Sequence, residues 1–235
     1  MRVVGITDIG LHRKRNEDQF FIDEDRRIFV VCDGMGGHKG GDVASRLAVE
    51  TIQENLVFSV ADQIIPSLQS VAKLANQIIW EKGQSDEALY EMGTTLTVAV
   101  IHDGSIVVAH VGDSSLYLFK EDQLIKVTQD HTLAQQMFSD GVLKSEDMRS
   151  NVYNHVLTRA VGVESQVELD IYQEEIQTGD WVLMCTDGLT DLLEDDAIRE
   201  LIKAADDPQK AAQELLNLAL SKGGYDNITI VLLRV

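Results

Sequence analysis

Two apolar runs joined by the dipeptide Asp103-Gly104 constrain the fold of this chain more than any other feature. Residues 94–101 and 106–111 consist almost entirely of apolar and β-branched side chains, a composition that is typical of strands. An Asp-Gly pair between two such runs favours a tight hairpin turn. The sequence therefore predicts an antiparallel pair of strands in the middle of the chain.

Similar apolar segments recur along the chain and predict the remaining elements. Further strands are predicted at residues 3–7, 19–22, 28–32, 115–119, 167–172, 181–185 and 228–233. Apolar residues at helical spacing predict a helix from Asp42 onward, a second over about 62–82, and a third that begins at Pro208 after an N-cap at Asp207 and stops at Gly223. Helices that come early and late, with hairpin-linked strands between them, predict an α+β fold in which helices cover antiparallel sheets.

The length of the chain favours one folding unit. It has 235 residues, of which 44% are hydrophobic, and this suffices for one substantial core. Because no linker-like or repeated segment interrupts the chain, we predict a single domain over residues 1–235. The polar, weakly periodic stretch at residues 131–153 is predicted to be a surface flap with one or two short helices, since long irregular segments are often functional.

The charge balance and the cysteines exclude several classes of protein. The net charge of -19, from 20 basic and 39 acidic residues, repels nucleic acid and anionic lipid, so neither is expected as a partner. Cys32 and Cys185 lie inside apolar runs, which indicates buried, reduced thiols rather than a disulfide or a zinc site. No segment has the length of a signal peptide core or a membrane span, so we expect a cytoplasmic protein.

Acidic residues stand at the ends of many predicted strands. They are Asp18 with Glu17 beside it, Asp33, Asp113, Asp187 and Asp226. A single Asp-Gly pair is usually no more than a turn, as at Asp103-Gly104. Because strand ends gather at a common rim in packed sheets, however, several such acids can meet in space. Clustered carboxylates repel one another unless a cation offsets their charge, and oxygen ligands suit Mg2+ or Mn2+.

The glycine-rich stretch after the strand predicted at 28–32 allows three interpretations. A phosphate-binding loop would end in Gly-Lys-Ser/Thr, whereas Lys39 is followed by Gly40. A dinucleotide-binding fold would place an acid at the end of a second strand, whereas Glu50 and Glu54 fall within the next predicted helix. Both nucleotide interpretations are therefore weak. A turn almost bare of side chains would instead let a backbone carbonyl, such as that of Gly34, approach a metal ion closely.

A basic segment precedes the first acidic pair. Arg13 lies a few residues before Glu17 and Asp18, and a guanidinium group binds phosphate oxygens through paired hydrogen bonds. Phosphate binding is one interpretation of Arg13. A solvated basic turn is the other, because Lys14 and Arg15 adjoin it.

Taken in chain order, these residues and their neighbours make the chain resemble the short bacterial form of the type 2C metal-dependent Ser/Thr protein phosphatases. The matching motifs are Arg13 with Asn16-Glu17-Asp18, Asp33-Gly34-Met35-Gly36-Gly37-His38, Gly93-Thr94-Thr95, Val111-Gly112-Asp113-Ser114, Leu157-Thr158-Arg159, Thr186-Asp187-Gly188-Leu189 and Asp226-Asn227. Each motif is short, but their joint order and spacing along nearly the whole chain are specific. The resemblance implies an αββα sandwich, with two antiparallel sheets between pairs of helices, which agrees with the α+β pattern.

The resemblance also implies that the acids hold two or three Mn2+ or Mg2+ ions. Asp33 would bridge two ions, with the Gly34 carbonyl on the first. Asp187 and Asp226 would hold the second ion. Asp113, together with Asp187, would hold the third ion that bacterial members contain.

Further roles follow from the same resemblance. Glu17 and Asp18 would orient metal-bound waters, and Arg13 would bind the substrate phosphate. In animal members a histidine directly after the Asp-Gly pair is assigned as the proton donor to the leaving alkoxide, but Met35 stands there in this chain. His38 is the nearest histidine, and it could be the general acid or could cap the following helix.

The reaction implied by the resemblance is hydrolysis of phosphoserine and phosphothreonine in proteins by direct attack of a water that bridges two metal ions. A Ser/Thr kinase would act in the opposite direction in bacterial signalling, and residues 131–153 would influence substrate choice. Two alternatives stay open. A non-catalytic relative would bind phosphoproteins as a regulatory domain, although it would be expected to lack metal-binding acids. A two-metal hydrolase of nucleotides or other small phosphoesters is the second alternative.

Overall fold

The strands of the protein form two antiparallel sheets that pack face to face. A computed structural model describes residues 1–148 and 151–235, except for the side chains of residues 37–39 and 145–146. The first sheet has the order β1 (Arg2–Asp8), β11 (Ile228–Arg234), β10 (Trp181–Cys185), β7 (Ser115–Lys120) and β8 (Gln123–Lys126). The second sheet has the order β2 (Asp18–Asp23), β3 (Ile28–Met35), β5 (Leu96–His102), β6 (Ser105–Val111) and β9 (Asp170–Glu175), with β4 (Gly93–Thr94) paired to the end of β3.

Helices cover the outer face of each sheet. Helices α1 (Gly37–Asn55) and α2 (Ile64–Ser85) pack on the second sheet, and α6 (Asp195–Ala204) and α7 (Pro208–Ser221) pack on the first. The shorter elements are α3 (Leu133–Ser139), α4 (Ser145–Met148), α5 (Asp187–Thr190) and single 3-10 turns at Ala61–Gln63 and Glu87–Leu89. The layers therefore confirm the predicted α+β class and the αββα sandwich.

Strand β3 shows how the sequence divides the core into apolar layers. Phe29 and Val31 lie in the layer between the two sheets, whereas Val30 and Cys32 lie in the layer beneath α1 and α2. This division follows from strand geometry, because successive side chains point to opposite faces. Both faces of β3 are covered, which explains why its sequence is an unbroken apolar run rather than an alternating one.

The hairpin, the last helix and the cysteines agree with the predictions. Asp103 and Gly104 have φ values of 46° and 77°, as the tight turn between β5 and β6 requires. The side chain of Asp207 accepts a hydrogen bond from the Gln209 N–H and so caps α7. Cys32 and Cys185 are both buried and free.

Two strands have a boundary that differs from the prediction by three residues. β3 continues past its apolar run to Met35, because its last two residues pair with β4. The strand predicted at 167–172 instead spans 170–175. Val167 and Leu169 pack against the core beneath α1 and α2 but precede the pairing with β6, so apolar contact begins before the strand does.

The sequence pattern also missed or shortened some helical elements. α1 begins at Gly37 rather than at Asp42, because the glycines of its first turns have a low helix propensity that hides the pattern. α6 was not predicted, since only Ile198 and Ile202 are buried among its charged residues. The exposed strand β8 was missed for the same reason. Among the described residues, no helix is both long and apolar enough to cross a membrane.

Candidate metal centre

Acidic side chains line a cleft of about 1510 Å³. Its carboxylates belong to Glu17, Asp33, Asp113, Asp187, Asp191 and Asp226, and its basic residues are Arg13, Lys14 and Arg15. Asp33 lies in β3 and Asp113 follows β6, so both come from the second sheet. Asp187 follows β10 and Asp226 precedes β11, so both come from the first sheet. The fold thus brings the strand-end acids of both sheets to one cleft.

Asp18 is 2% exposed and is held by both sheets. It lies opposite Asp33 in the register of β2 and β3. Asp18 Oδ2 accepts a hydrogen bond of 2.8 Å from the Thr186 hydroxyl group. Thr186 Oγ1 in turn accepts a hydrogen bond of 3.0 Å from the Thr229 N–H. This series of bonds crosses from the second sheet to the first and fixes the two sets of acids relative to each other.

The backbone of Gly34 is packed so closely that no side chain fits there. Its N–H donates to the Glu17 carbonyl at 3.2 Å. A Cβ on Gly34 would lie 2.1 Å from the Gly41 carbonyl oxygen, and a Cβ on Gly41 would lie 2.6 Å from the Gly34 carbonyl oxygen. The glycines therefore let the start of α1 approach the end of β3, and they leave the Gly34 carbonyl clear of any side chain from residue 41.

Burial and mutual repulsion disfavour the ionised forms of the clustered acids. Burial, followed by the charges of Asp18 and Asp187, raises the pKa of Asp33 well above its usual range. Burial and then the charge of Asp187 likewise raise the pKa of Asp113. Burial also raises the pKa of Asp18 to about 7, although hydrogen bonds from threonine side chains oppose this shift. A divalent cation would offset the charge that these environments disfavour.

Several buried carboxylate oxygens in the described part of the chain accept no hydrogen bond. They are Asp18 Oδ1, Asp42 Oδ1 and Asp187 Oδ1. Buried polar atoms are nearly always partnered in folded proteins. Asp187 lines the cleft, and Asp18 and Asp42 lie near acids that line it, so their unpartnered oxygens fit a cation-binding role. The donor set is made of oxygens, which suits Mg2+ or Mn2+.

Some residues at the cleft escaped the sequence prediction. His155 Nδ1 lies 3.4 Å from Asp191 Oδ2 and 3.8 Å from Asp187 Oδ2. Each of these three residues offers one possible metal-ligand atom, and the three atoms lie within 4.8 Å of one another. The Asp187 carboxylate, followed by that of Asp191, raises the pKa of His155 to about 9. Asp191 follows Asp187 by one helical turn, a spacing that could have indicated it. Asp42, whose charge adds to burial in raising the pKa of Glu17, carried no such signal.

Arg13 reaches the cleft from the segment between β1 and β2. Its guanidinium group forms an ion pair with the Asp226 carboxylate, and this hydrogen bond raises the pKa of Arg13. The side chain is 51% exposed and so stays accessible to an anion from solvent. Met35 also lines the cleft, whereas the side chain of His38 lies outside the described residues.

Comparisons with known proteins agree with this fold. The sequence model of the family described as protein phosphatase 2C matches residues 12–220. The serine/threonine phosphatase stp of Listeria innocua is 36% identical over 233 residues, which cover 96% of this chain and 92% of that protein. The crystal structure of the serine/threonine phosphatase PstP/Ppp of Mycobacterium tuberculosis has a TM-score of 0.92 and 31% identity, and the match covers 98% of this chain and 97% of that one. The structure of the catalytic domain of PstP in complex with two manganese ions has a TM-score of 0.89 and 30% identity, with 98% and 96% coverage.

Proposed function

Because this chain belongs to the protein phosphatase 2C family, we propose that it is a metal-dependent protein serine/threonine phosphatase that hydrolyses phosphoserine and phosphothreonine in proteins. The observation that carries the proposal is the acidic cluster, in which buried carboxylates have raised pKa values and unpartnered oxygens. Such a cluster is costly unless cations bind to it. Arg13 at the same cleft adds a group that suits a phosphate.

The residues that would hold the cations, two or three Mn2+ or Mg2+ ions, are proposed as follows. Asp33 would be shared by two ions, with the Gly34 carbonyl on one of them, and Asp187 and Asp226 would hold the second. Asp113 would hold a third ion together with Asp187. Bound cations of this kind supply an activated water for direct in-line attack on phosphorus and offset charge on the phosphoryl group.

The remaining side chains would bind and orient the reactants. Glu17 and Asp18 would act through ordered waters, and the hydrogen bond from Thr186 supports this for Asp18, because it fixes one carboxylate oxygen and leaves the other free. Arg13, held by Asp226, would bind the phosphate of the substrate. His38 stays a candidate for the proton donor to the leaving oxygen of the serine or threonine, with capping of α1 as its alternative role.

The biological setting follows from the same proposal. The substrates would be phosphoproteins, and a Ser/Thr kinase would act in the opposite direction in bacterial signalling. Residues 131–153 would form a flap that influences substrate choice, and residues 1–235 would be one domain. The cytoplasmic location stays a prediction.

The proposal is tested by phosphate release from a phosphothreonine peptide in the presence of Mn2+ and again with EDTA. We expect release with Mn2+ and none with EDTA, and we expect the peptide to be preferred over a nucleotide. Circular dichroism would confirm that the protein is folded in both conditions. A folded protein that releases no phosphate with Mn2+ would favour a regulatory binding domain, and a preference for the nucleotide would favour a small-molecule hydrolase.

A further inference from the structure

His131 stands at the start of the segment predicted to be a flap, and it is 4% exposed. It forms a reciprocal pair of hydrogen bonds with Gly112. The His131 N–H donates to the Gly112 carbonyl at 2.7 Å, and the Gly112 N–H donates to His131 Nδ1 at 3.1 Å. Gly112 therefore has both of its backbone polar groups bound to one residue.

These contacts fix the protonation state of the His131 ring. Because Nδ1 accepts from Gly112, the ring proton must be on Nε2, which donates to Asp170 Oδ2 at 3.1 Å. Asp170 is held in turn by Arg159, whose Nη1 donates to Asp170 Oδ1 at 2.8 Å. Burial lowers the pKa of His131, which agrees with a neutral ring that accepts at Nδ1.

Gly112 needs an external restraint of this kind. Its φ is 109°, and a Cβ there would lie 2.5 Å from Thr95 Cγ2, so the position requires glycine. Glycine has the weakest conformational preference of any residue and does not fix its own backbone. The residue on the other side of Asp113 is also held, because Ser114 Oγ lies 2.7 Å from Thr95 Oγ1. Asp113 thus stands between two residues whose positions depend on tertiary hydrogen bonds.

We propose that His131 is a positioning residue: by binding both backbone groups of Gly112, it places the Asp113 carboxylate in the cleft for cation binding. The inference rests on the proposed function, since it takes Asp113 as a cation ligand. The same residue joins the two arms of the segment that contains α3 and α4. The Thr158 N–H donates to the His131 carbonyl at 2.8 Å, and Thr132 is bridged to Leu157. The residue that joins these arms is therefore the one whose side chain binds the backbone beside Asp113.

Two substitutions separate the two functions of the ring. Asn places an amide oxygen near the position of Nδ1 and can accept from Gly112, whereas Gln places an amide NH2 near the position of Nε2 and can donate to Asp170. In titrations of the full chain with Mn2+, with free Mn2+ measured by electron paramagnetic resonance, we expect H131N to bind Mn2+ much like the wild type. We expect H131Q and H131A to weaken one Mn2+ site by about 10- to 100-fold, as loss of a group that orients a metal ligand does.

His110 provides the matched control. It is buried, its ring centroid lies 4.9 Å from that of His131, and both of its ring nitrogens are hydrogen-bonded, but to Thr97 and Gln129 rather than to Gly112. H110Q should lower the melting temperature without weakening any Mn2+ site. If H131Q and H131A lose thermal stability but bind Mn2+ like the wild type, or if H131N weakens Mn2+ binding as much as H131A, the positioning role is wrong.

A measurement on the wild-type chain covers the case in which the variants do not fold. Titration with diamagnetic Mg2+ should shift the nuclear magnetic resonance signals of His131 Nδ1 and of the Gly112 amide at the same Mg2+ concentration. Unchanged signals at saturating Mg2+ would overturn the inference alone. A wild-type chain that binds neither Mn2+ nor Mg2+ would overturn the proposed function as well, so the two failures can be told apart.

Discussion

Two groups of buried polar side chains in this protein differ in how completely they are hydrogen-bonded. The histidine network is formed by His110, His131, Arg159, Asp170 and Tyr172, whose hydroxyl group donates to Asp170 Oδ2 at 3.3 Å. Every ring nitrogen of its histidines has a partner. The acidic cluster at the cleft leaves Asp18 Oδ1 and Asp187 Oδ1 without one among the described residues. The two histidine rings and the unpartnered carboxylate oxygens are all shielded from water, so the difference lies in their partners.

The comparison shows that buried polar groups can either stabilise the fold by themselves or prepare a site for cations. A network whose groups satisfy one another stabilises a unique arrangement without any ligand. A cluster whose acids repel one another makes the metal-free fold less stable, and the free energy is recovered when cations bind. The two regions should therefore respond in opposite ways to substitution, acid and metal.

The largest effect is expected from Asp33→Asn. Loss of a group that only orients a metal ligand lowers activity by about 10- to 100-fold. Because Asp33→Asn removes a cation ligand itself, it should lower kcat/KM on a phosphothreonine peptide by more than that. The same substitution should raise the melting temperature in EDTA, because asparagine carries no charge to bury. Asp25→Asn, on the exposed turn between β2 and β3, is the charge-matched control. If Asp33→Asn keeps the wild-type kcat/KM, Asp33 is not a cation ligand, and the main distinction between the acidic cluster and the histidine network is lost.

The histidine network should weaken the protein in acid. Burial lowers the pKa of His110 from 6.5 to about 3, so below pH 6.5 the unfolded chain binds a proton that the folded chain excludes. The stability that the neutral ring contributes is fully present above pH 6.5 and is lost as the pH falls toward 3, by on the order of 5 kcal/mol. Urea unfolding at each pH measures this loss, and His110→Gln should reduce it. If His110→Gln loses as much stability in acid as the wild type, another group causes the loss.

Manganese should stabilise the acidic cluster by mass action. At a free concentration about 100 times Kd, Mn2+ should add about 2.7 kcal/mol to the free energy of unfolding. Asp187→Asn should blunt the accompanying rise in melting temperature, whereas Asp25→Asn should not. If Asp187→Asn shows the full rise, Asp187 is not a ligand.

The metal-free cluster should also weaken the protein toward neutral pH. The folded-state pKa of Asp18 is raised from 3.8 to about 7, so its contribution is complete below pH 3.8, where the acid is protonated in both states. This contribution to stability is lost as the pH rises through 7. The loss is about 2 kcal/mol, because the neighbouring acids titrate together with Asp18. Unfolding in EDTA should show this decline, and unfolding in Mn2+ should not. Parallel curves in EDTA and Mn2+ would contradict it.

The smallest change in stability is expected at the rim of the cleft. Arg13→Lys should alter the free energy of unfolding by less than about 1 kcal/mol, because the ion pair with Asp226 is exposed. It should nevertheless raise KM for the phosphopeptide severalfold, since lysine cannot bind phosphate through two parallel bonds. Arg46→Lys, which changes an exposed pair with Glu50 on α1, is the control. Equal KM values for both variants would exclude a phosphate contact.

The sequence predicted the acidic cluster better than the histidine network for a physical reason. Asp33 and Asp187 each follow an unbroken apolar run, so their place at a strand end could be inferred from local pattern. His131 and Asp170 are far apart in the chain, and His131 lies in a segment without clear periodicity, although Asp170 lies in a predicted strand. Their contact depends on how the segment after β8 returns to β9, which no local pattern specifies.

The same distinction applies to the fold. The hairpin at Asp103-Gly104 was predictable because its turn residues and its strands agree locally. The first turns of α1 were not, because glycines required by the contact between Gly34 and Gly41 lower the helix propensity. Tertiary packing overrides local preference at the start of α1, whereas α6 and β8 were missed because they bury few apolar side chains.

The origin of the cluster's acids in two sheets has a mechanical consequence. Asp33 and Asp113 belong to one sheet and Asp187 and Asp226 to the other, and the hydrogen bond between Asp18 and Thr186 already links the two. Cations bound among these acids would cross-link the layers, so sliding one sheet over the other would require their release. The force needed to pull the sandwich apart would then depend on the free metal concentration, and a chelator would soften the whole molecule rather than the cleft alone.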